Sequence, residues 1–161
     1  MSAGTMEAAS SLIKFVETNI PKRSFILEFG SGKGTTGHLG NNYKLFSIEQ
    51  NENFMGKYKS TYIHAPIKDG WYDVEKVNKL ISGKKFDCII VDGPAHGNRS
   101  GLLDNLQTLK LNTNTLWIFD DIDRDEDKTL ALTMATLLSA PLVSHNNMWG
   151  FIDPSQRIKK K

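Results

Sequence analysis

Three glycines at every second position, Gly30, Gly32 and Gly34, follow directly on the apolar run Phe25-Ile26-Leu27 and the acid Glu28. A buried strand that turns sharply into a loop of bare backbone N–H groups is a place to hold a nucleotide-like ligand. Glycine suits it because the turn needs unusual φ/ψ and because the ligand must reach the backbone with no Cβ in the way. The loop is not a Walker A loop: Lys33 is followed by Gly34 rather than Ser or Thr, and Leu27 stands at the required upstream glycine position. Gly32-Lys33-Gly34-Thr35-Thr36-Gly37 matches the dinucleotide pattern G-x-G-x-x-G, a weak signal alone. Glu28 speaks against a pyrophosphate there, since a carboxylate beside phosphates is repulsive. A ligand with a cationic end fits better.

Further acids stand at or near the ends of later strands: Glu49, Asp92, and the pair Asp120-Asp121. In a parallel sheet those ends share one edge, where the ligands of open α/β sheets bind. Glu49 is placed to accept hydrogen bonds from both hydroxyls of a ribose, each charge-assisted bond contributing roughly 1.5–3 kcal/mol. The alternative is that Glu49 merely favours the start of a following helix.

The elements that must position these groups alternate. An amphipathic helix is expected from Thr5 to Asn19, with Leu12, Ile13, Phe15 and Val16 at helical spacing, and Pro21 stops it. Ser24–Phe29, Lys44–Glu49, Thr61–Ala65, Phe86–Asp92 and Thr115–Asp121 read as strands. Between them the pattern predicts a short helical stretch after the glycine loop, and helices over Asn53–Tyr58, Asp73–Leu80, Leu102–Lys110 and Asp125–Ser139. Pro66 to Gly70 reads as a loop. Pro141–His145 and Met148–Asp153 flank Asn146-Asn147 as a β-hairpin. The expected fold is therefore α/β, a Rossmann-like doubly wound, mostly parallel sheet with a C-terminal antiparallel hairpin and helices on both faces. One domain over residues 1–161 is expected, with an N-terminal helix in 1–20 and a basic tail in 154–161.

Composition bounds the partners. A formal charge of +2 over 161 residues is too small to argue for nucleic acid, and Lys159-Lys160-Lys161 reads as a solvated tail. The single cysteine, Cys88, lies in an apolar run, which reads as a buried thiol in a reducing compartment. No apolar run approaches the ~20 residues that span a bilayer. The start of the chain lacks a basic region followed by an apolar one, so a cytoplasmic location is expected.

Glu28-x-Gly30-x-Gly32-x-Gly34, with Glu49 after the second strand and Asp92 after the fourth, resembles the class I S-adenosylmethionine-dependent methyltransferases. The resemblance runs from Phe25 to Asp153. It implies that the three glycines cradle the methionine portion, with Glu28 near its amino group, Glu49 on the ribose, and His64-Ala65-Pro66-Ile67 beside adenine. The cofactor site so implied comprises Glu28, Gly30, Ser31, Gly32, Gly34, Thr35, Glu49, Gln50, Ala65, Pro66, Ile67 and Asp92.

Methyltransferases acting on nucleic-acid amines carry Asn/Asp-Pro-Pro-Tyr or Phe after strand four. Here that position reads Asp92-Gly93-Pro94-Ala95, which disfavours that branch. Asp92 together with Asp120 and Asp121 resembles the divalent-metal O-methyltransferases, which implies Mg²⁺ or a similar cation held by those three acids against a substrate hydroxyl. Hard oxygen ligands suit such a cation. His96, four residues past Asp92, is the candidate base, against a reading as a plain loop histidine. Arg99 and Arg124 either bind an anionic group or balance the acids. Asp123 and Asp125 read as helix-start acids, His64 and His145 as structural. Trp71 and Tyr72 either cover the ligand or fill the core. The expected acceptor is a small hydroxylated molecule, sugar-like or another metabolite, with a homo-oligomer as one way to complete its pocket. The competing readings are a metal-independent methyltransferase, a cofactor-binding module without chemistry, and a nicotinamide-dependent oxidoreductase.

Overall fold

A computed structural model describes residues 3–156 and 158, with side chains described from residue 7 on. The tail Lys159–Lys161 lies outside the described residues. The chain runs α1 (Ala3–Asn19), β1 (Phe25–Phe29), α2 (Thr36–Leu39), β2 (Lys44–Glu49), β3 (Thr61–His64), β4 (Ile67–Lys68), β5 (Trp71–Tyr72), α3 (Val74–Ile81), β6 (Cys88–Val91), α4 (Gly101–Asn105), β7 (Leu116–Asp120), α5 (Asp125–Leu138), β8 (Leu142–His145) and β9 (Trp149–Ile152). Seven strands form one sheet in the order β3-β2-β1-β6-β7-β9-β8. Strands β3, β2, β1, β6 and β7 are parallel, and β9 and β8 close the sheet antiparallel. The expected Rossmann-like layer fold is therefore present, hairpin included.

Alternation along the strands feeds two cores. Leu27, Phe29, Ile89, Val91, Trp117 and Phe119 pack with α3, α4 and α5. Ile26, Leu45, Cys88, Ile90, Leu116 and Ile118 pack with α1 and Leu39 of α2. Cys88 is fully buried, as its apolar run implies. With both faces covered, the central strands read as nearly continuous apolar runs.

The chain leaves β1 outward through β2 and β3, then returns to β6 on the other side of β1. The switch point thus lies between β1 and β6, where the crevice of a doubly wound sheet opens. The ladders end at Phe29↔Val91 and Val91↔Phe119, so Gly30, Asp92 and Asp120 occupy the next row together.

Several elements depart from the sequence expectation. Asn53–Tyr58 is no helix: a single 3-10 turn over Glu52–Phe54 stops at Met55, which is extended, and Gly56 follows at φ +74°. α4 ends at Asn105, whose amide donates to the Gly101 carbonyl, and the chain continues as turns. Pro66–Gly70 is not a bare loop, because β4 and β5 pair across Asp69-Gly70, both at positive φ. That Asp-Gly pair is a strong hairpin signal. The Asn146-Asn147 turn of the β8–β9 hairpin has the same left-handed pair, as its sequence implies. Asp73 stands at the start of α3 without a capping hydrogen bond from its side chain. On α5 the sequence puts Leu130, Met134, Leu137 and Leu138 on one face, but the buried hydrophobic stripe is Leu130, Ala131 and Met134, and Leu137 is exposed.

Candidate functional site

Glu28 sits inside the sheet face that α2 covers and is fully buried. Its Oε1 accepts from the hydroxyls of Thr36 and of Ser47, the latter at 2.9 Å, while Oε2 has no partner. Burial pushes its carboxyl up to about 8, against the lowering pull of those two hydroxyls. One carboxyl oxygen thus lies buried beside the glycine loop without a hydrogen-bond partner, a place where a cationic donor would favour the ionised form.

The loop after β1 is less bare than its sequence suggests. The Gly30 N–H donates to the Ile48 carbonyl at 2.8 Å, and the Gly32 N–H to the Thr36 hydroxyl at 2.9 Å. The glycines also differ in role. A Cβ on Gly30 would stand 2.5 Å from the Asp92 carbonyl oxygen, at φ +90°, whereas one on Gly32 meets nothing within 4 Å. Gly30 lets the β1 and β6 loops cross; Gly32 faces open space. Gly34 is partly buried against Ala9, and Thr35 is buried with an unpartnered hydroxyl. Lys33 is exposed, so its charge sits in solvent.

Glu49, 5% exposed, is held by the Ser31 hydroxyl at 2.6 Å and the Asn51 N–H at 2.9 Å. Gln50 ties two loops together, its Oε1 accepting from the Ala95 N–H at 2.7 Å. The Gln50 carbonyl meets His64 Nε2 at 3.0 Å. Ala65 is buried next to Glu49, while Pro66 and Ile67 are exposed. A shallow cleft lined by Ser31, Gly32, Lys33, Phe54, Lys57 and Tyr58 opens beside the glycine loop. A second groove, between α1 and the β8–β9 hairpin, has no acid on its walls.

Asp92, Asp120 and Asp121 come together: one oxygen of each lies within 4.8 Å of the others. Asp121 is left-handed at φ +61°, a conformation aspartate tolerates better than most residues, and its N–H donates to Asp120 Oδ1 at 2.8 Å. Desolvation and then the neighbouring Asp120 push Asp92 well above the usual carboxylate range, Arg99 pulling the other way. Asp120 is raised to about 6, by burial first and by Asp121 second. Acids that crowd one another this way call for a cation.

Arg99 answers part of that need. Nη1 lies 2.8 Å from Asp121 Oδ2, and Nη2 3.6 Å from Asp92 Oδ1. Asp127 of α5, 3% exposed, completes the group at 3.9 Å from both Arg99 Nη1 and His96 Nδ1. Of the two roles open to Arg99, balancing the acids is the one its contacts support. Sequence reasoning, which gave Asp125–Ser139 only as a helix, missed Asp127. Its signal was available: a third acid in the first turn of α5 falls on the turn that faces the β7 end.

His96 is 59% exposed. His96→Ala is therefore expected to leave the melting temperature within about 1–2 °C of the parent, as surface changes usually do. Differential scanning calorimetry would expose a structural role as a larger drop. Trp71 and Tyr72 are both about 1% exposed and belong to the core. His145 is exposed and stacks on Trp149, ring centroids 5.1 Å apart.

The fold is one that solved methyltransferases share. No family model matches the chain by sequence, and no curated protein does. Among solved structures the chain is similar to MycE methyltransferase from the mycinamycin biosynthetic pathway, in complex with Mg and SAH, at TM-score 0.57 and 13% identity over 94% of this chain. It spans about half of that protein, 49% of its length. It is similar also to SAH-bound Podospora anserina methyltransferase PaMTH1, at TM-score 0.55 and 17% identity, over 95% of this chain and 79% of that one. A third is precorrin-6y C5,15-methyltransferase from Geobacter metallireducens GS-15, at TM-score 0.59 and 14% identity, over 84% and 72%. At these identities the likeness is one of fold. Among the described residues no helix is long and apolar enough to cross a membrane.

Proposed function

We propose that the chain is an S-adenosylmethionine-dependent methyltransferase that methylates a hydroxyl of a small sugar-like or metabolite acceptor with the help of a divalent cation. The observation that carries the reading is the meeting of Asp92, Asp120 and Asp121 within 4.8 Å, with Asp92 and Asp120 in the row of Gly30 at the switch point. Three carboxylates are a hard-oxygen donor set, which suits Mg²⁺. The unpartnered Glu28 Oε2 and Thr35 hydroxyl, and the open space in front of Gly32, suit a cofactor with a cationic end.

When bound, S-adenosylmethionine supplies a methyl group on a sulfonium that already leaves readily. A divalent cation would supply several kcal/mol of charge stabilisation and ease loss of the acceptor's proton. The chain's own part is placement and proton handling. Glu49, oriented by Ser31 and the Asn51 N–H, offers its remaining lone pairs to the ribose. His96 takes the acceptor's proton, and buried Asp127 favours the imidazolium that results. Gln50 pins the Ala95 end of the loop that carries His96. The single buried Cys88 is in keeping with a cytoplasmic location, and a second copy is one way to complete the acceptor pocket.

Thermal shift with S-adenosylhomocysteine and with NAD tests the cofactor: the first is expected to raise the melting temperature and the second not. The reverse result would move the reading to an oxidoreductase. Methyl transfer to hydroxylated acceptors is expected to fall at least about tenfold with chelator and to return with Mg²⁺. Activity indifferent to chelator favours a metal-independent methyltransferase instead. The Arg99 guanidinium 2.8 Å from Asp121 is the observation on that side.

A further inference from the structure

The acid centre already holds a cation of its own. Arg99 is 7% exposed, and its guanidinium reaches two of the three residues assigned above to the divalent ion, Asp121 Oδ2 at 2.8 Å and Asp92 Oδ1 at 3.6 Å. Backbone fixes it in that place. Nε donates to the Pro94 carbonyl at 3.0 Å and Nη2 to the Asp92 carbonyl at 3.2 Å. A guanidinium so engaged has little surface left for an anionic substrate.

Yet its charge does not close the balance. Among the described residues, the paired cations facing Asp92, Asp121 and Asp127 are Arg99 and Arg124, with the titratable His96 beside Asp127. With these three acids and Asp120 ionised and His96 neutral, the cluster carries two more negative than positive charges. Independently of the three assigned acids, Asp127 Oδ2 is buried and lacks a hydrogen-bond partner. The centre has acceptor capacity that Arg99 leaves unused.

We propose that Arg99 is a resident counter-cation, standing in at the acid centre for a divalent ion and thereby setting how strongly that centre takes one. The inference rests on the metal-assisted reading of the site. A divalent ion and the guanidinium compete for the same oxygens of Asp92 and Asp121, and two cations within about 4 Å repel strongly in a partly buried site. The ion therefore binds only as Arg99 gives up those contacts. Arg99 belongs to the loop between β6 and α4, which also carries His96 and is pinned through Ala95. Release of the guanidinium loosens that loop where the acceptor's base stands. Arg99 is on this account a positioning residue, acting through the acids and the loop.

Mn²⁺ binding, read by electron paramagnetic resonance, tests the idea in the full chain and in Arg99→Gln and Arg99→Lys, with S-adenosylhomocysteine affinity measured alongside. Arg99→Gln is expected to bind Mn²⁺ about tenfold or more tightly than the parent, because an opposing charge has gone. Arg99→Lys keeps a charge but loses the planar fork, and is expected to fall between them. S-adenosylhomocysteine affinity should stay within about threefold throughout. Mn²⁺ affinity that is unchanged or weaker in Arg99→Gln overturns the proposal. If circular dichroism shows that variant unfolded, Arg99→Lys decides, an affinity no higher than the parent's counting against. Loss of S-adenosylhomocysteine binding already in the parent would sink the cofactor reading instead, and the Mn²⁺ ranking would still judge Arg99.

Discussion

Gly30→Ala is expected to destabilise the fold by about 3 kcal/mol or more, the sum of a left-handed backbone cost and an overpacking cost. The added Cβ would stand 2.5 Å from the Asp92 carbonyl oxygen and 3.0 Å from the Gly93 Cα, and both neighbours are backbone. Neither can step aside without moving a whole loop. In a chain of this size the melting temperature should fall by roughly 6–12 °C. Gly32→Ala is the matched contrast, since its Cβ meets nothing within 4 Å and its φ is not left-handed. Stability there should stay within about 0.5 kcal/mol, as for an unencumbered surface change. Its effect should appear instead as weaker S-adenosylhomocysteine binding, because a methyl group would project where the ligand approaches. Calorimetric melting and isothermal titration of both variants separate the roles. Equal losses of stability in the two would contradict the division.

Glu28→Gln is expected to raise stability at alkaline pH and to change little near pH 4. The carboxyl is raised from 4.5 to about 8, chiefly by burial. Below pH 4.5 the folded and unfolded states both hold the proton, so the group favours neither. As pH rises towards 8 the unfolded chain gains an ionised carboxylate that the folded chain resists, and folding stability declines throughout that window. A shift of that size corresponds to roughly 4–5 kcal/mol once the decline is complete. Glutamine stays neutral, keeps one oxygen for Thr36 and Ser47, and puts an amide where Oε2 now lacks a partner. The difference in melting temperature between variant and parent should grow from near zero at pH 4 to on the order of 10 °C above pH 8. Parallel curves would show that Glu28 is not held neutral. S-adenosylhomocysteine should narrow the gap, since a cationic amine beside Glu28 would stabilise its ionised form.

How far the sequence could be read depended on whether the signal was local. Lys44–Glu49 and the Asn146-Asn147 hairpin were legible because alternation, strand propensity and turn chemistry all act within a few residues. The expected Asn53–Tyr58 helix failed for a local reason that could have been weighed, the glycine at 56. So did the reading of Pro66–Gly70, where Asp69-Gly70 was passed over.

The candidate site divides along the same line. That acids follow β2, β6 and β7, and that glycines follow β1, is written in the order of residues. The alternation of strands and helices was enough to bring those ends to one edge. What the order of residues could not say is which side chains meet there and which are already engaged. Gly30, Gly32 and Gly34 look equivalent in a row. Only the crossing of the β1 loop with the Asp92-Gly93 backbone makes Gly30 a packing requirement and leaves Gly32 facing open space. Glu28 looks like an outward acid, yet the pleat turns it into the sheet face beneath α2. Arg99 and Asp127 are 28 positions apart and carry no shared motif. They meet because the β6 and β7 ends are neighbours in the sheet and α5 starts above them. Spacing along the chain determines which face and which edge a residue occupies. The charge balance at that edge comes from contacts between distant segments, and those exist only once the sheet is assembled.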